Sequence, residues 1–346
     1  MLNLSLNYPS VPKEMEIFRD YINQVPPQEQ FTLLHPPYQP LDAFGLSTLG
    51  THLRYDPSVM ATTPVPSANS GLFTIAKWHR PLTQHVAIEP FTFPGWRMVA
   101  DDAGFNLHVV ESDEEGMIPE KLAECLQRFG CKLIYLQPTL HNPTNAVMSL
   151  ERRMAIAAVV RSFPETYIIE DDAYRFLHAD PPPSFLELAP DITLHVYSLS
   201  KPFNPLLRSG YIIHPPQLLK GAANYIKMTC SGTSTLFTQF GIYLMANGML
   251  HVLAEQKREA AAAARLLMEN YFSAKDYRSH PNSFHYWIPC SEPEKAAAAM
   301  QRHQIDISNG KMFSLTEDDQ YIRLALGGAY DAPNLPEALR AIAELT

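Results

Sequence analysis

Glycine is scarce in this sequence of 346 residues, which holds only 15 glycines beside 30 prolines. Proteins on average contain about 7% glycine and about 5% proline, so the loops rely on proline's fixed backbone more than on glycine's freedom. Charged residues are also few, at 18% against 46% hydrophobic. This balance excludes a disordered chain and predicts a large core within one or two closely packed domains.

Basic residues are outnumbered, with 27 Lys and Arg against 36 Asp and Glu, and the net charge is −9. They are scattered, so we predict no nucleic-acid partner and no binding to an anionic membrane surface. The four cysteines form no C-x-x-C pair, which predicts reduced thiols. No apolar run reaches the ~18 residues of a membrane span, and the first residues lack a signal-peptide pattern. We expect a cytoplasmic protein, and we predict no metal site.

Short apolar runs alternate with helical patterns from residue 86 onward. The runs lie at 86–90, 107–110, 132–138, 166–171, 193–200 and 209–215, and helical patterns cover 95–105, 119–129 and 150–162. Strands separated by helices of about ten residues are typical of crossover units. The pattern therefore predicts an α/β fold with a mostly parallel sheet and helices on both faces.

The remaining parts of the chain predict two further units. Long helical sequence follows the central region, and two strand-like runs, 283–289 and 321–326, indicate a smaller α+β domain. The first forty residues are rich in proline and short of periodicity, which is typical of an arm. We expect an arm and part of the small domain in 1–40, a large domain in 41–239 and the small C-terminal domain in 240–346.

Chemistry in a parallel sheet collects beyond the carboxyl ends of its strands. Asn142 follows the run 132–138, in HNPTN, where the proline after it favours an extended or turn backbone; taken alone, it is a turn residue. Three acids, 170–172, end the next run, with Tyr174 close behind. Carboxylates at the mouth of a buried strand are destabilising unless a positive group pairs with them.

The stretch SLSKPFNPLLRSGY, residues 198–211, is the most informative. Lys201 comes just after an apolar run, and a lysine in a pocket can lose its proton and attack a carbonyl carbon. Ser198, Ser200 and Arg208 beside it are the donors that a phosphate monoester needs. The segment PSANSGL, 66–72, opens a helical pattern, and the N–H groups of a helix start bind anions. A surface lysine and an ordinary helix cap are the alternatives when each stretch is taken alone.

Together these groups match pyridoxal 5′-phosphate part by part. The sequence resembles the fold-type I pyridoxal-phosphate enzymes, in particular the class I/II aminotransferases, and most closely the aminotransferase-like module of MocR-type regulators. The resemblance covers residues 60–345 and is carried by HNPT, IIEDDAY, SLSKPFNPLLRSGY and YIRLAL. It implies a large domain with a mostly parallel central sheet, a smaller α+β domain and a homodimer.

The resemblance also implies roles for single residues. Lys201 would form the internal aldimine and move the substrate's α-proton, Asp171 would pair with the pyridine nitrogen, and Tyr174 would hydrogen-bond the phenolic oxygen together with Asn142. The remaining cofactor contacts would come from Ser67, Ala68, Asn69, Phe93, Ser198, Ser200 and Arg208. Arg323 would bind the substrate's carboxylate, with Asn142 and Asn7 nearby.

Four positions depart from the family's pattern, which usually has glycine where this chain has Asn7, Ser67, Asn145 and Leu206. Glycine often supplies a positive φ or a close backbone approach. Asn tolerates left-handed geometry best among other residues, so Asn145 is the mildest change. We expect the replacements to reshape the loops around cofactor and substrate.

The predicted function is a ping-pong transamination between an amino acid and a 2-oxo acid through the Lys201 aldimine. Two alternatives stay open. One is another reaction at the α-carbon: decarboxylation, racemisation, β-elimination or carbon–carbon bond formation. The other is a non-catalytic module that binds the cofactor and senses a ligand, as in MocR-type regulators. We also expect the arm 1–40 to embrace the partner subunit.

Overall fold

A computed structural model describes residues 1–34, 41–274 and 276–346. Its first elements are β1 (Leu2–Asn3), α1 (Lys13–Gln24), α2 (Pro27–Leu33), α3 (Ala43–Leu53) and β2 (Ala61–Val65). The predicted arm 1–40 thus contains two helices, and its residues 35–40 lie outside the described part. Helix α1 forms because Glu14, Ile17 and Tyr21 recur at helical spacing and bury one face.

The central part of the chain alternates helices and strands as expected. Its elements are α4 (Ala68–His79), β3 (His85–Ile88), α5 (Pro94–Ala103), β4 (Asn106–Val109), β5 (Ser112–Asp113), β6 (Gly116–Met117), α6 (Pro119–Phe129), β7 (Leu133–Leu136), α7 (Leu150–Arg161), β8 (Tyr167–Asp171), α8 (Phe185–Leu188), β9 (Thr193–Ser198) and β10 (Gly210–His214). The strands β2-β10-β9-β8-β7-β3-β4, in this order, form one seven-stranded sheet.

This sheet confirms the predicted mostly parallel architecture. All neighbouring pairs from β9 to β4 are parallel, and only β10 runs antiparallel to its two neighbours. Both faces are covered: in β7, Leu133 and Tyr135 pack into one hydrophobic cluster, whereas Ile134 and Leu136 pack into another. A strand buried on both faces has a continuous apolar sequence, which is what the run 132–138 showed.

The C-terminal part supplies a second, smaller layer. Its elements are α9 (Ala222–Cys230), α10 (Thr235–Ala246), α11 (Met249–Met268), β11 (His285–Pro289), α12 (Pro293–Arg302), β12 (Ile305–Asp306), β13 (Ser308–Asn309), β14 (Tyr321–Ala325) and α13 (Leu335–Ala343). Strands β11-β14-β13 form an antiparallel sheet, and β1 pairs with β12. The N-terminus is therefore joined to the small layer through a strand pair.

The long helix α11 connects the two layers. Leu250 and Leu253 at its start pack with α1, α3 and α10, whereas Ala261 and Ala264 further along pack with the small sheet. The expected boundary between residues 239 and 240 falls inside α10. We propose instead that the domains meet within α11, with the first residues of the chain belonging to the small domain.

Among residues 1–34, 41–274 and 276–346, no single helix has both the length and the apolar composition of a membrane span. Only α10 and α11 taken together pass that test, and they are bent by 79° at the break between them. All four cysteines of the chain are free.

Candidate active site

The predicted cofactor residues gather around one cavity at the carboxyl edge of the large sheet. The cavity has a volume of about 260 Å³. Eleven predicted residues line it: Ser67, Ala68, Asn69, Phe93, Asn142, Asp171, Tyr174, Ser198, Ser200, Lys201 and Arg208. They come from the carboxyl ends of β8 and β9, from the loops after β3, β7, β8 and β9, and from the start of α4, so the order of the strands brings them together.

Lys201 lies where the chain leaves β9. Its Nζ donates to the carbonyl of Asn7 and stands 3.5 Å from the centre of the Tyr8 ring. Burial of the amine lowers the pKa of Lys201 to about 7, and the charge of Arg323 adds to this effect, while Asp171 opposes it. A large fraction of the amine is therefore neutral near pH 7, and the neutral amine is the form that attacks carbonyls and accepts protons.

Asp171 ends β8 with a buried carboxylate, 3% exposed. Its Oδ2 accepts a hydrogen bond from the Tyr135 hydroxyl at 2.7 Å, whereas the buried Oδ1 has no partner among the described residues. Burial raises the pKa of Asp171 to about 6, although the Tyr135 hydrogen bond opposes the rise. An N–H or N⁺–H group in the cavity would satisfy Oδ1 and favour the ionised form.

Arg323 projects from β14 of the small sheet and is 5% exposed. Its guanidinium donates to Asn142 Oδ1 at 3.0 Å, to Ser308 Oγ at 3.2 Å and to the carbonyl of Ser5. Burial lowers the pKa of Arg323 to about 10, and no carboxylate of the described residues forms an ion pair with it. A buried cation held only by neutral acceptors is the partner that a carboxylate ligand needs.

Part of the cavity lining consists of hydrogen-bond donors and one cationic side chain. Ser67 caps α4, and its Oγ accepts from the Ser70 N–H at 3.1 Å. Ser198 Oγ and Ser200 Oγ lie 2.9 Å apart. Arg208, in the left-handed region at φ +45°, has no ion pair with the described residues. Hydroxyls, a helix start and a guanidinium without an ion pair are groups that can bind a phosphate.

Tyr174 and Phe93 complete the cavity wall. Burial raises the pKa of the Tyr174 hydroxyl above its usual range, so this group stays protonated and can donate. Phe93 begins α5, and its ring lies against Gly95, where any Cβ would collide with it. The glycine at position 95 therefore leaves room for the Phe93 ring in the cavity wall.

The four glycine replacements are accommodated by the backbone. Ser67 has φ −169°, an extended conformation that every residue adopts, and Asn145 has φ +62°, which Asn tolerates. Leu206 is 76% exposed and does not line the cavity. Asn7 contributes its carbonyl to Lys201, and its side-chain nitrogen lies 2.9 Å from His285 Nδ1. Of these four residues Asn145 alone has a positive φ, so it alone stands where the backbone favours glycine.

Sequence reasoning missed several residues at this site. Tyr135, Gln137 and Tyr8 line the cavity or bond to Asp171, and Ser5 contacts Arg323. Tyr135 and Gln137 could have been found from the alternation along β7, because residues two positions apart point to the same face of a strand. The contacts of Ser5 and Tyr8 have no such signal, since they depend on how the N-terminus crosses the cavity.

Relatives by sequence fall into two groups. YdeF of Bacillus subtilis (strain 168), named an uncharacterized HTH-type transcriptional regulator, is 28% identical over 186 residues, 54% of this chain and 40% of YdeF. YisV of the same organism, also named an uncharacterized HTH-type transcriptional regulator, is 26% identical over 71% of this chain and 52% of its own length. The mitochondrial kynurenine/alpha-aminoadipate aminotransferase of Bos taurus is 31% identical over 38% of this chain and 34% of that enzyme. The chain spans about half or less of the length of these relatives.

Solved structures share the fold over the whole chain. Kynurenine aminotransferase of Pyrococcus horikoshii matches with a TM-score of 0.87 at 16% identity, covering 100% of this chain and 90% of that one. Aspartate aminotransferase of Thermus thermophilus with maleate matches with a TM-score of 0.84 at 18% identity, covering 100% and 92%. The predicted fold, that of the fold-type I pyridoxal-phosphate enzymes, is confirmed.

The family itself is shown by a sequence profile. The profile described as "Aminotransferase class I and II" matches residues 54–342, which include the strand-end loops, the cavity and Arg323. The chain belongs to the aminotransferase class I and II family.

Proposed function

We propose that this chain is a pyridoxal 5′-phosphate-dependent aminotransferase that moves an amino group from an amino acid to a 2-oxo acid. The observation that carries the proposal is the placement of three incomplete groups at or beside one cavity: two of them line it, and the third hydrogen-bonds to Asn142, which lines it. They are the low-pKa amine of Lys201, the unpartnered carboxylate oxygen of Asp171, and the guanidinium of Arg323, which lacks an acidic partner among the described residues.

The polar groups of the cavity fit the cofactor's parts. Asp171 Oδ1 is a buried acceptor in need of a donor, which a protonated ring nitrogen provides. Ser198, Ser200 and Arg208, with the start of α4, would hold the phosphate. Tyr174 and Asn142 would donate to the phenolic oxygen, and Phe93 would stack on the ring.

When bound, pyridoxal 5′-phosphate supplies an aldehyde carbon that combines with amines and a ring that withdraws electrons from the substrate's α-carbon. Asp171, ionised beside the ring nitrogen, would keep that nitrogen protonated and strengthen the withdrawal. Arg323 would bind the substrate carboxylate through two parallel hydrogen bonds and so orient the α-carbon. The amine of Lys201 would take the α-proton and hand it on, as a general base and then a general acid.

Replacement of Lys201 tests the proposal. In Lys201→Ala the chain should lose the visible absorbance band of the bound cofactor and the formation of 2-oxo acid from amino acids. The matched control is Lys311→Ala, since Lys311 lies exposed outside the cavity and forms a salt bridge with Glu294 at 3.0 Å; this variant should keep both properties. An unchanged visible band in Lys201→Ala would refute the assignment of the lysine.

Other reactions at the α-carbon use the same groups and are told apart by their products. The bond that lies perpendicular to the cofactor plane is the one that breaks, and the substrate-binding groups set that geometry. A panel of amino acids offered with a 2-oxo acid separates transamination from decarboxylation, racemisation, elimination or carbon–carbon bond formation. We expect a new amino acid to appear in equal amount to the 2-oxo acid formed.

A second candidate function has support from the sequence relatives. YdeF and YisV, named HTH-type transcriptional regulators, match this chain over part of their lengths. As the ligand-sensing part of such a protein, the chain would bind cofactor and amino acid without turnover. Tight binding of both, with no 2-oxo acid produced from any of the amino acids tested, would favour this reading over the aminotransferase.

A further inference from the structure

Lys257, on α11, is a fully buried lysine that the proposed chemistry does not use. Its Nζ donates to the backbone carbonyls of three consecutive residues, Lys201 at 2.9 Å, Pro202 at 3.0 Å and Phe203 at 2.8 Å. Three carbonyls turned toward one ammonium define the backbone turn that follows the reactive lysine. A buried ammonium needs such acceptors, because without them its burial is strongly unfavourable.

Glu14, on α1, is the fourth partner of this ammonium. Its Oε1 lies 2.8 Å from Lys257 Nζ, and the carboxylate is 3% exposed. The other oxygen, Oε2, accepts from Asn204 Nδ2 at 3.0 Å. Asn204 in turn caps the turn Pro205–Leu207 by accepting from the Leu206 N–H. The pair therefore reaches both parts of the loop, the turn after Lys201 and the turn that leads to Arg208.

Three separate parts of the chain meet at this pair. Helix α1 comes from the N-terminal arm, α11 links the two layers, and the loop 201–208 carries both the lysine amine and the phosphate-binding arginine of the proposed site. A buried, charge-assisted network with all partners supplied is stiff, because any movement leaves a charge unsatisfied. Lys257 and Glu14 thus hold the loop by hydrogen bonds from outside the cavity, and neither residue lines it.

We propose that Lys257 and Glu14 are positioning residues, which hold loop 201–208 so that Lys201 and Arg208 face the cavity in fixed geometry. The inference rests on the proposed cofactor site, since it concerns the residues that would form that site. Neither side chain touches the cavity, so both act through the loop. The segment that the sequence composition predicted to be an arm is, on this account, part of the active-site support.

The charge of Lys257 supports the same conclusion. The ammonium lies just behind the backbone of Lys201, and its charge is one of the causes that lower the pKa of the Lys201 amine. Burial and Arg323 are the larger causes, and both depend on the loop's placement. Loss of Lys257 removes one charge and loosens the loop, and both changes move the pKa of Lys201 upward.

The test uses Lys257→Met and Glu14→Gln in the full chain, with Arg258→Met as the matched control. Arg258 neighbours Lys257 on α11 but donates to Phe176, not to the loop. The first readout needs no cofactor: acetic anhydride labels Lys201 at a series of pH values, and mass spectrometry measures the labelled fraction. We expect the midpoint to rise by about one pH unit in Lys257→Met, a tenfold change in proton affinity, and to stay unchanged in Arg258→Met.

The second readout is amide hydrogen exchange within residues 203–208. In Lys257→Met and Glu14→Gln we expect exchange there to be about tenfold faster or more, while α6 and α7, remote from the loop, keep their protection. If Lys257→Met fails to fold, the exchange measurement on Glu14→Gln decides, because Gln keeps the shape of the Glu side chain. The proposal is overturned if folded Glu14→Gln exchanges the loop amides at the wild-type rate. It is also overturned if the labelling midpoint of Lys201 in folded Lys257→Met equals that of the wild type.

Titration with pyridoxal 5′-phosphate tests the proposed function separately from the positioning role of Lys257 and Glu14. A wild-type chain that develops no visible band contradicts the proposed function, while the labelling and exchange results still decide the role of Lys257 and Glu14. Where the band does form, we expect cofactor affinity about tenfold weaker in Glu14→Gln than in Arg258→Met. Equal affinities in these two variants contradict the proposed support of Arg208.

Discussion

Arg323 lies in an environment that is unfavourable for the chain alone and that suits the role proposed for it. Its guanidinium is buried and has only neutral acceptors from Asn142, Ser308 and Ser5. Such a site is destabilising for the chain by itself and becomes favourable when a carboxylate arrives. This is the physical reason why the residue proposed to bind substrate is also one whose environment is incomplete.

Arg323→Lys should keep the charge and lose the planar pair of donors. One lost hydrogen bond to a charged group is worth about 1.5–3 kcal/mol, so kcat/KM for amino acids should fall by about 10- to 100-fold. Steady-state kinetics with the preferred amino acid measures this. Arg302→Lys, an exchange on an exposed part of α12, serves as the control and should leave kcat/KM unaltered.

Asp171 predicts how the stability of the cofactor-free chain depends on pH. Its folded pKa of about 6 lies above the ordinary 3.8, so its contribution is fully present below about pH 4 and is lost as pH rises through 6. The shift corresponds to about 3 kcal/mol. Because the unfolded carboxyl is already mostly ionised at pH 4.5, urea unfolding at pH 4.5 and pH 8 should show that wild type loses about 2 kcal/mol relative to Asp171→Asn. Parallel pH curves for the two proteins would contradict the raised pKa.

At the scale of elements, the starts of helices decide where polar groups become available. Ser67 caps α4 at the cavity and Ser149 caps α7 away from it, and each hydroxyl accepts from the backbone N–H three residues on. Their local geometry is alike: both residues are extended and both begin helices of 12 residues. Only the place of the helix in the fold makes one of them part of the candidate site.

Ser67→Ala and Ser149→Ala should each lower the free energy of unfolding by about 1 kcal/mol, the usual value of a lost helix cap. Only Ser67→Ala should also weaken binding of pyridoxal 5′-phosphate, by about 2- to 10-fold, because one hydrogen bond at the phosphate side is lost. Denaturant unfolding and cofactor titration measure the two effects. Equal cofactor affinity in both variants would exclude Ser67 from the phosphate site.

Whether elements were predictable from the sequence depended on how completely they are buried. Helix α6 was expected at 119–129 and has those bounds, and the runs 166–171 and 193–200 contain β8 and β9. Strand β2 was missed because it lies at the edge of the sheet and contains Pro64, and a proline argues against a strand. Helices α1 and α2 were missed because the prolines around them obscured a short helical period.

At the scale of the whole molecule, the arm packs on its own chain. Leu2 and Leu4 belong to the core of the small layer, while Ile17 and Tyr21 pack with residues of α3, α10 and α11. Deletion of residues 1–40 would expose these cores, so it would disturb the fold as well as any partner contact. Loss of the dimer after this deletion would therefore not distinguish a partner contact from a damaged fold, and the expectation that the arm embraces a partner stays a prediction.

We predict that the chain forms a homodimer. Large apolar side chains such as Phe44, Leu206 and Met228 are exposed, and subunit interfaces cover surfaces of this kind. Light scattering after size exclusion should give twice the chain's 39.0 kDa across the micromolar range. A mass of one chain at every concentration would contradict the prediction.

The sequence by itself determined six of the seven strands of the large sheet, all but β2, and the chemistry at their ends, because apolar runs and the residues that follow them are local features of the chain. It placed Asn142, Asp171 and Lys201 at one edge through the rule of parallel strands. Only the tertiary structure decided what surrounds them. The carbonyl of Asn7 reaches Lys201 over 194 positions, and Ser5 reaches Arg323 over 318. Contacts between segments so far apart depend on how layers pack, and no local pattern records that packing.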